Sequence, residues 1–182
     1  VEVKIVGGKY KGRNIDAPRG LLSRPPLALI RESVFNMLGD WVVGRSVLDL
    51  FAGSGSLGIE ALSRGAGRLE SVDTAARCVR MVRRNLAGLE LAEAATVSRR
   101  SAADFVRSWN GERFDLIFID PPFLSGGVQE VLGCLGSADI LADDGFVVAR
   151  HHRREAVEVP GAFELIKQRK FGESVVIFLR KA

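Results

Sequence analysis

The sequence predicts an α/β fold: a Rossmann-like, doubly wound and mostly parallel sheet, with a small N-terminal β-hairpin and a C-terminal antiparallel hairpin. Three observations carry this reading. Short apolar runs alternate with helix-forming stretches from residue 46 to residue 149, the alternation that builds parallel strands through helical crossovers. The apolar run Val47-Leu48-Asp49-Leu50 enters a glycine-rich loop and then a helical stretch. The chain ends on two strand-like runs, Phe163 to Lys170 and Ser174 to Arg180, separated only by Phe171-Gly172-Glu173.

Taken in order, residues 3–16 alternate and turn at Gly7-Gly8 and Lys11-Gly12, which predicts a hairpin. Pro25-Pro26 opens a helix, since proline is tolerated in a first turn, and Leu27, Ile30, Val34, Met37, Leu38 and Trp41 recur at helical spacing. Strands are expected near 46–50, 68–72, 95–99, 114–119 and 145–149, and helices near 57–64, 74–87, 101–109 and 126–138. In the second of these helices Arg77, Arg80, Arg83 and Arg84 lie opposite Val79, Val82 and Leu86, the pattern of a half-buried helix with a solvated face. Two units result: a basic hairpin extension, residues 1–24, and a sheet domain, residues 25–182. A chain of 182 residues with 47% hydrophobic and 26% charged residues has the size and composition of one globular domain. No run reaches the roughly 18 apolar residues that span a bilayer, and the start lacks the pattern of a secretory signal, so a cytoplasmic location is expected. Cys78 and Cys134 have no metal-site spacing and are expected to be reduced thiols.

The loop Phe51-Ala52-Gly53-Ser54-Gly55-Ser56-Leu57-Gly58 allows a ligand close to the backbone, because Gly53 and Gly55 lack a Cβ and adopt positive φ at little cost. Gly58 allows the following helix to pack tightly on the strand. Asp73 lies 20 residues beyond Gly53, at the end of the next strand, where an acidic side chain suits a ribose diol. This pattern fits NAD and S-adenosylmethionine equally, since each presents an adenosyl ribose there.

Asp120-Pro121-Pro122-Phe123 follows directly on the strand Phe114 to Ile119 and has the chemistry of a site that methylates an exocyclic amine. The lone pair of such an amine is delocalised into the base ring, so a catalyst must hold both N–H groups and turn the lone pair towards the methyl donor. Asp120 offers one acceptor and the Pro121 carbonyl the other, while paired prolines have fixed φ and no competing N–H. Phe123 is placed to stack on the base. Base stacking is worth about 1–3 kcal/mol, comparable to the few kcal/mol needed to turn a nucleotide out of its helix. Asp-Pro and Pro-Pro also punctuate ordinary strand ends.

The chain resembles the bacterial 16S rRNA guanine-N2 methyltransferases of the RsmD type over nearly all of its length. Four segments carry the resemblance: Ile5-Val6-Gly7-Gly8-Lys9-Tyr10-Lys11-Gly12-Arg13; Arg24-Pro25 with Ile30-Arg31-Glu32-Ser33-Val34-Phe35-Asn36-Met37-Leu38; Leu48 through Leu62-Ser63-Arg64-Gly65-Ala66; and Phe114 to Phe123. The resemblance implies a class I S-adenosylmethionine-dependent methyltransferase with a seven-stranded sheet and transfer to guanine N2 in 16S rRNA. It implies a cofactor site at Asp49, Ala52, Gly53, Ser54, Gly55, Asp73, Ser101, Ala102 and Asp120, and catalysis by Asp120, Pro121, Pro122 and Phe123. The sequence departs from the family in three places. Pro26-Leu27-Ala28-Leu29-Ile30 is apolar where relatives are polar, Ser101 replaces an Asp or Asn, and Arg150 follows the strand Gly145 to Ala149 where relatives usually carry a glutamate.

Residues 1–45 contain 8 Lys/Arg against 4 Asp/Glu, while residues 46–182 contain 18 of each, so the net +4 is expected to act through the N-terminal segment. Lys9, Lys11, Arg13, Arg24 and Arg31 are therefore the expected contacts to RNA phosphates, within naked 16S rRNA or an assembling small subunit. No metal is expected, nor a membrane, and a monomer is anticipated. His151 and His152, adjacent on a strand end, are expected at the surface rather than as bases. Three other functions compete: a DNA amino methyltransferase acting on adenine N6 or cytosine N4, an NAD oxidoreductase, and a non-catalytic RNA-binding assembly factor.

Overall fold

The structure, a computed structural model, describes residues 2–18 and 25–182. Strands β1 (Glu2–Lys4) and β2 (Asn14–Asp16) pair antiparallel as the predicted hairpin. Helix α1 (Pro25–Leu38) leads through a 3-10 turn into β3 (Ser46–Leu50). Then follow α2 (Ser56–Ser63), β4 (Arg68–Asp73), α3 (Ala76–Gly88), β5 (Ala95–Arg99), α4 (Ala102–Ser108), β6 (Phe114–Ile119), α5 (Gly127–Leu135) and β7 (Leu141–His152). The hairpin β8 (Phe163–Phe171) and β9 (Ser174–Lys181) ends the fold.

The main sheet has seven strands in the order β5-β4-β3-β6-β7-β9-β8. Its first four pairings are parallel and its last two antiparallel. Both faces are covered, which is why β3 and β6 read as continuous apolar runs rather than as alternating ones. Phe35, Val47, Ile59, Val82, Phe118, Val148 and Val176 belong to the core on one face. Leu50, Val72, Phe105, Ile119, Val131, Ala149 and Ile177 belong to the core on the other. Strand β7 is longer than expected. It begins at Leu141 and shifts register between the Phe114 and Leu116 pairings, and Gly145 tolerates this because a Cβ there would lie 2.8 Å from the Asp115 carbonyl oxygen.

Glu60 of α2 fastens the N-terminal hairpin to the sheet domain. Its carboxylate is fully buried, accepts the Val6 N–H at 3.0 Å, and pairs with Arg64 at 2.9 Å and Arg31 at 3.4 Å. The Arg31 guanidinium also donates to the Lys4 carbonyl at 2.6 Å. Arg31 was expected among the RNA-facing cations, but it is only 5% exposed and its charge is engaged in this internal link. Gly8, at φ +74, fits beside α2, where a Cβ would meet the Ser63 carbonyl at 1.9 Å. Replacing Glu60 with Ala leaves Arg31 buried without its carboxylate, so stability should fall by about 3–5 kcal/mol. Adding Arg31→Met should recover part of that loss, and urea unfolding of the single and double variants checks both statements.

Candidate active site

The strand order reverses between β3 and β6: the chain leaves β3 towards β4 and β5, then returns to add β6 on the other side. A crevice opens at the carboxyl ends of such neighbours, and ligands of open α/β sheets bind there. Asp49, Asp73 and Asp120 stand at these ends, on β3, on β4 and just past β6.

The glycine loop begins with an unpredicted feature. Phe51, not a glycine, takes φ +64 and turns the chain sharply off β3. A left-handed bulky residue is unfavourable by about 1–3 kcal/mol, so the surrounding bonds must hold it. They include Ala52 N–H to the Val72 carbonyl at 3.0 Å and Gly55 N–H to the Ala52 carbonyl at 2.7 Å. Gly53 and Gly55 have positive φ as expected, at 58° and 80°. The Gly53 N–H donates to Asp73 Oδ2 at 2.9 Å, and the other Asp73 oxygen accepts the Ala75 N–H at 2.8 Å. At the start of α2, the Gly58 N–H donates to Asp49 Oδ2 at 3.1 Å. Gly58 is packed as the sequence suggested, since a Cβ there would lie 2.6 Å from Leu69.

Asn85 of α3 supports this loop from behind. Its amide donates to the Ser54 and Asp16 carbonyls, each at 2.9 Å, and its Oδ1 accepts the Asp16 N–H at 2.9 Å. One buried side chain therefore ties the glycine loop to the N-terminal hairpin. Ser101 caps α4, with its Oγ accepting the Asp104 N–H at 3.1 Å; the hydroxyl proton remains available to a ligand acceptor, and Ala102 beside it is buried.

Asp120 is partly exposed, and Arg150 is its main partner. The guanidinium Nε donates to Asp120 Oδ1 at 2.6 Å, and its carbon lies 4.7 Å from the Phe123 ring centroid. Burial pushes the Asp120 carboxyl above the ordinary carboxylate value, against the downward pull of Arg150. Sequence reading missed Arg150; the departure from the family at that position was its only signal. His152 meets Phe123 edge-on at 5.3 Å between centroids. His151 and His152 are buried, not superficial as expected, because β7 continues to His152 and pairs with β9 as far as Ser174. Beyond the motif, Leu124 is exposed with φ +58, and Glu155 accepts the N–H groups of His152 and Gly126 at 2.8 and 3.4 Å.

Of the expected RNA contacts, Lys9, Lys11, Arg13 and Arg31 are not assembled at this site. Lys9 and Lys11 are exposed on the hairpin loop, where the Lys9 N–H donates to the carbonyl of Ser63 at the C-terminal end of α2. Arg13 donates to the carbonyl of Gly88 at the C-terminal end of α3. Both helices run away from the crevice, so these cations lie at the opposite end of the sheet. Arg24 falls outside the described residues.

Asp49 is enclosed by the strand, the loop and α2. Burial first, and then repulsion from Asp120 and Asp73, raise its pKa to about 7, against the Gly58 hydrogen bond that lowers it. The folded carboxyl thus holds its proton more tightly than the unfolded one, whose value is 3.8. Stability from this group is full below pH about 4, falls as pH rises, and is lost above about 7. Asp49→Asn should remove that slope. The variant is expected to be more stable than the parent at pH 8, by at most about 4 kcal/mol, with the advantage gone near pH 4. Thermal unfolding at the two pH values tests this.

Comparison with known proteins places the chain. Residues 3–180 match the family described as Conserved hypothetical protein 95. The chain is 36% identical to YlbH of Bacillus subtilis, provisionally named an rRNA methyltransferase, over 98% of this chain and 99% of that one. It is 30% identical to ribosomal RNA small subunit methyltransferase D of Escherichia coli, over 94% of this chain and 86% of that protein. Among solved structures, a hypothetical protein of Thermus thermophilus superposes with a TM-score of 0.81 at 28% identity, covering 99% of both chains. A ribosomal protein L11 methylase from Lactobacillus delbrueckii shares the fold at TM-score 0.74, covering 94% of this chain and 87% of that one at 18% identity. The chain belongs to the Conserved hypothetical protein 95 family, that of the RsmD-type ribosomal RNA methyltransferases.

Proposed function

We propose that this protein transfers a methyl group from S-adenosylmethionine to the exocyclic N2 of a guanine in 16S ribosomal RNA. One observation carries the choice of cofactor. Three carboxylates crowd the crevice, and the N–H donors of Gly53 and Gly58 are already taken by two of them. A dinucleotide would bring a pyrophosphate that needs those donors and would meet the Asp73 carboxylate. A cationic ligand is attracted instead, and S-adenosylmethionine carries a sulfonium and an ammonium group. The reading agrees with the rRNA methyltransferases among the relatives.

When bound, S-adenosylmethionine supplies an electrophilic methyl group on its sulfonium. Asp73 would accept the ribose hydroxyls, and Asp49 with the loop of Ala52, Gly53, Ser54 and Gly55 would line the amino-acid portion. Ser101 and Ala102 adjoin the adenine. Asp120 Oδ1 is held by Arg150, which leaves Oδ2 and the Pro121 carbonyl to receive the two N–H groups of the target amine. Orienting the lone pair in this way supplies most of the acceleration, and the carboxylate stabilises the positive charge that develops on nitrogen. Phe123, held between Arg150 and His152, offers its ring to the base. Pro122 is exposed and stiffens the turn. Lys9, Lys11 and Arg13 are left to phosphates remote from the target base.

Labelled methyl transfer to unmodified 16S rRNA and to small subunits, followed by nucleoside separation, tests the reading. N2-methylguanosine that falls by at least about a hundredfold with Asp120→Ala is expected. Methylated adenine or cytosine would point to another amino methyltransferase class, and RNA binding without transfer to a non-catalytic role. A second outcome concerns pH. Asp120 acts ionised, and Arg150 lowers its pKa, so Arg150→Met should move the acidic limb of the kcat/KM profile to higher pH. Arg150→Lys should move it less; an unshifted limb in the Met variant would remove Arg150 from the mechanism.

A further inference from the structure

The charge balance of the chain conceals a second basic segment. Residues 150–182 contain 8 Lys/Arg against 4 Asp/Glu, the same excess as residues 1–45, while residues 46–149 contain 10 against 14. Five cations of this segment, Arg153, Arg154, Lys167, Arg169 and Lys170, are exposed and make no ion pair among the described residues.

Strand register shows where they stand. Arg150 pairs with Val176, and Val176 with Arg169, so these three side chains share one row and one face. Ile119 pairs with Ala149, so Asp120 falls beside Arg150 in that same row. The next row towards the strand starts is Val148, Phe178 and Lys167, again on that face. Arg169 is thus three strand spacings from the candidate catalytic carboxylate, about 14 Å, at the catalytic end of the sheet. Strand β8 runs parallel to β7 through β9, so Lys170 and the hairpin turn are also at that end, where the Arg153 N–H donates to the Glu173 carbonyl at 2.8 Å. Strand β8 is the sheet edge, and residues 164–170 are exposed on both of its faces.

We propose that this edge, through Lys167, Arg169 and Lys170, binds the phosphate backbone of the substrate RNA next to the target nucleotide. The inference rests on the RNA methyltransferase reading and extends it to a surface outside the site. Charged side chains also keep an exposed edge strand from pairing with another chain. That role asks only for charge somewhere on the strand, whereas Arg169 shares a row with Asp120 and Arg150. Lys9, Lys11 and Arg13 are at the other end of the sheet, whereas the β8 edge carries its charge at the catalytic end.

The test is the triple variant Lys167→Ser, Arg169→Ser, Lys170→Ser, compared with the parent in methyl transfer and in filter binding of unmodified 16S rRNA across a salt series. Each lost phosphate contact lowers the slope of log affinity against log salt by about 0.7–0.9, so a decrease of about 2 is expected, with KM raised about tenfold or more. Unchanged S-adenosylmethionine affinity and melting temperature would show that the fold is intact. The charge-preserving variant Lys167→Arg, Arg169→Lys, Lys170→Arg should restore most of the slope. An active parent with an unchanged slope and KM in the serine variant overturns this proposal alone, and so does equal loss in the charge-preserving variant. A parent that transfers methyl to neither rRNA nor subunits overturns the functional reading, and this inference with it.

Discussion

The reversal of strand order between β3 and β6 is the constraint on which the site depends. Parallel strands need helical crossovers, and a sheet wound outwards in both directions from one strand sends those crossovers to opposite faces. Here α2 and α3 pack with the core on one face, and α4 and α5 with the core on the other. No crossover then covers the carboxyl ends of β3 and β6, and the loops that leave them, Phe51 to Gly55 and Asp120 to Gly126, form the walls of the crevice.

Electrostatics decides what that crevice accepts. Burial first, and then the carboxylates of Asp120 and Asp73 at the adjacent strand ends, make Asp49 hold its proton up to about pH 7. The N-terminus of α2 offsets part of this at Asp49 through Gly58, and Arg150 offsets part of it at Asp120 from β7. A helix N-terminus normally suits an external anion. In this protein an internal carboxylate, that of Asp49, occupies that place. Arg150 also sets the geometry, because one guanidinium holds both the carboxylate and the ring of the Asp-Pro-Pro-Phe segment.

The frame around the site rests on two buried polar side chains that join distant parts of the chain. Glu60 links α1, α2 and the N-terminal hairpin, and Asn85 links that hairpin to the glycine loop. Such groups are costly when unpaired and specific when satisfied. The hairpin is thus fastened at both of its ends, which leaves its loop cations at one end of the sheet while the β8 edge carries charge at the other.

Local patterns in the sequence were sufficient for the elements. The apolar runs predicted strands within a few residues, and the departures, such as the early start of β7, came from pairing and a bulge at Gly145. Gly53, Gly55, Gly58 and Asp73 were legible because loop chemistry and spacing are local properties, and Asp120 because it follows an apolar strand directly. What depended on contacts between segments was not legible. Arg31 looked like a surface cation and is an internal one, since its partner Glu60 is 29 residues away. His151 and His152 looked superficial because burial at the end of β7 depends on β9, and Arg150 was unassigned because the register of β6 against β7 alone brings it to Asp120. The sequence by itself determined the strands, the glycine loop and the position of Asp-Pro-Pro-Phe at a strand end, all written within short stretches of chain. Which charges stand at the crevice, which are consumed inside the fold and which lie along one row of the sheet was decided by tertiary structure, because charge acts through space and not along the chain.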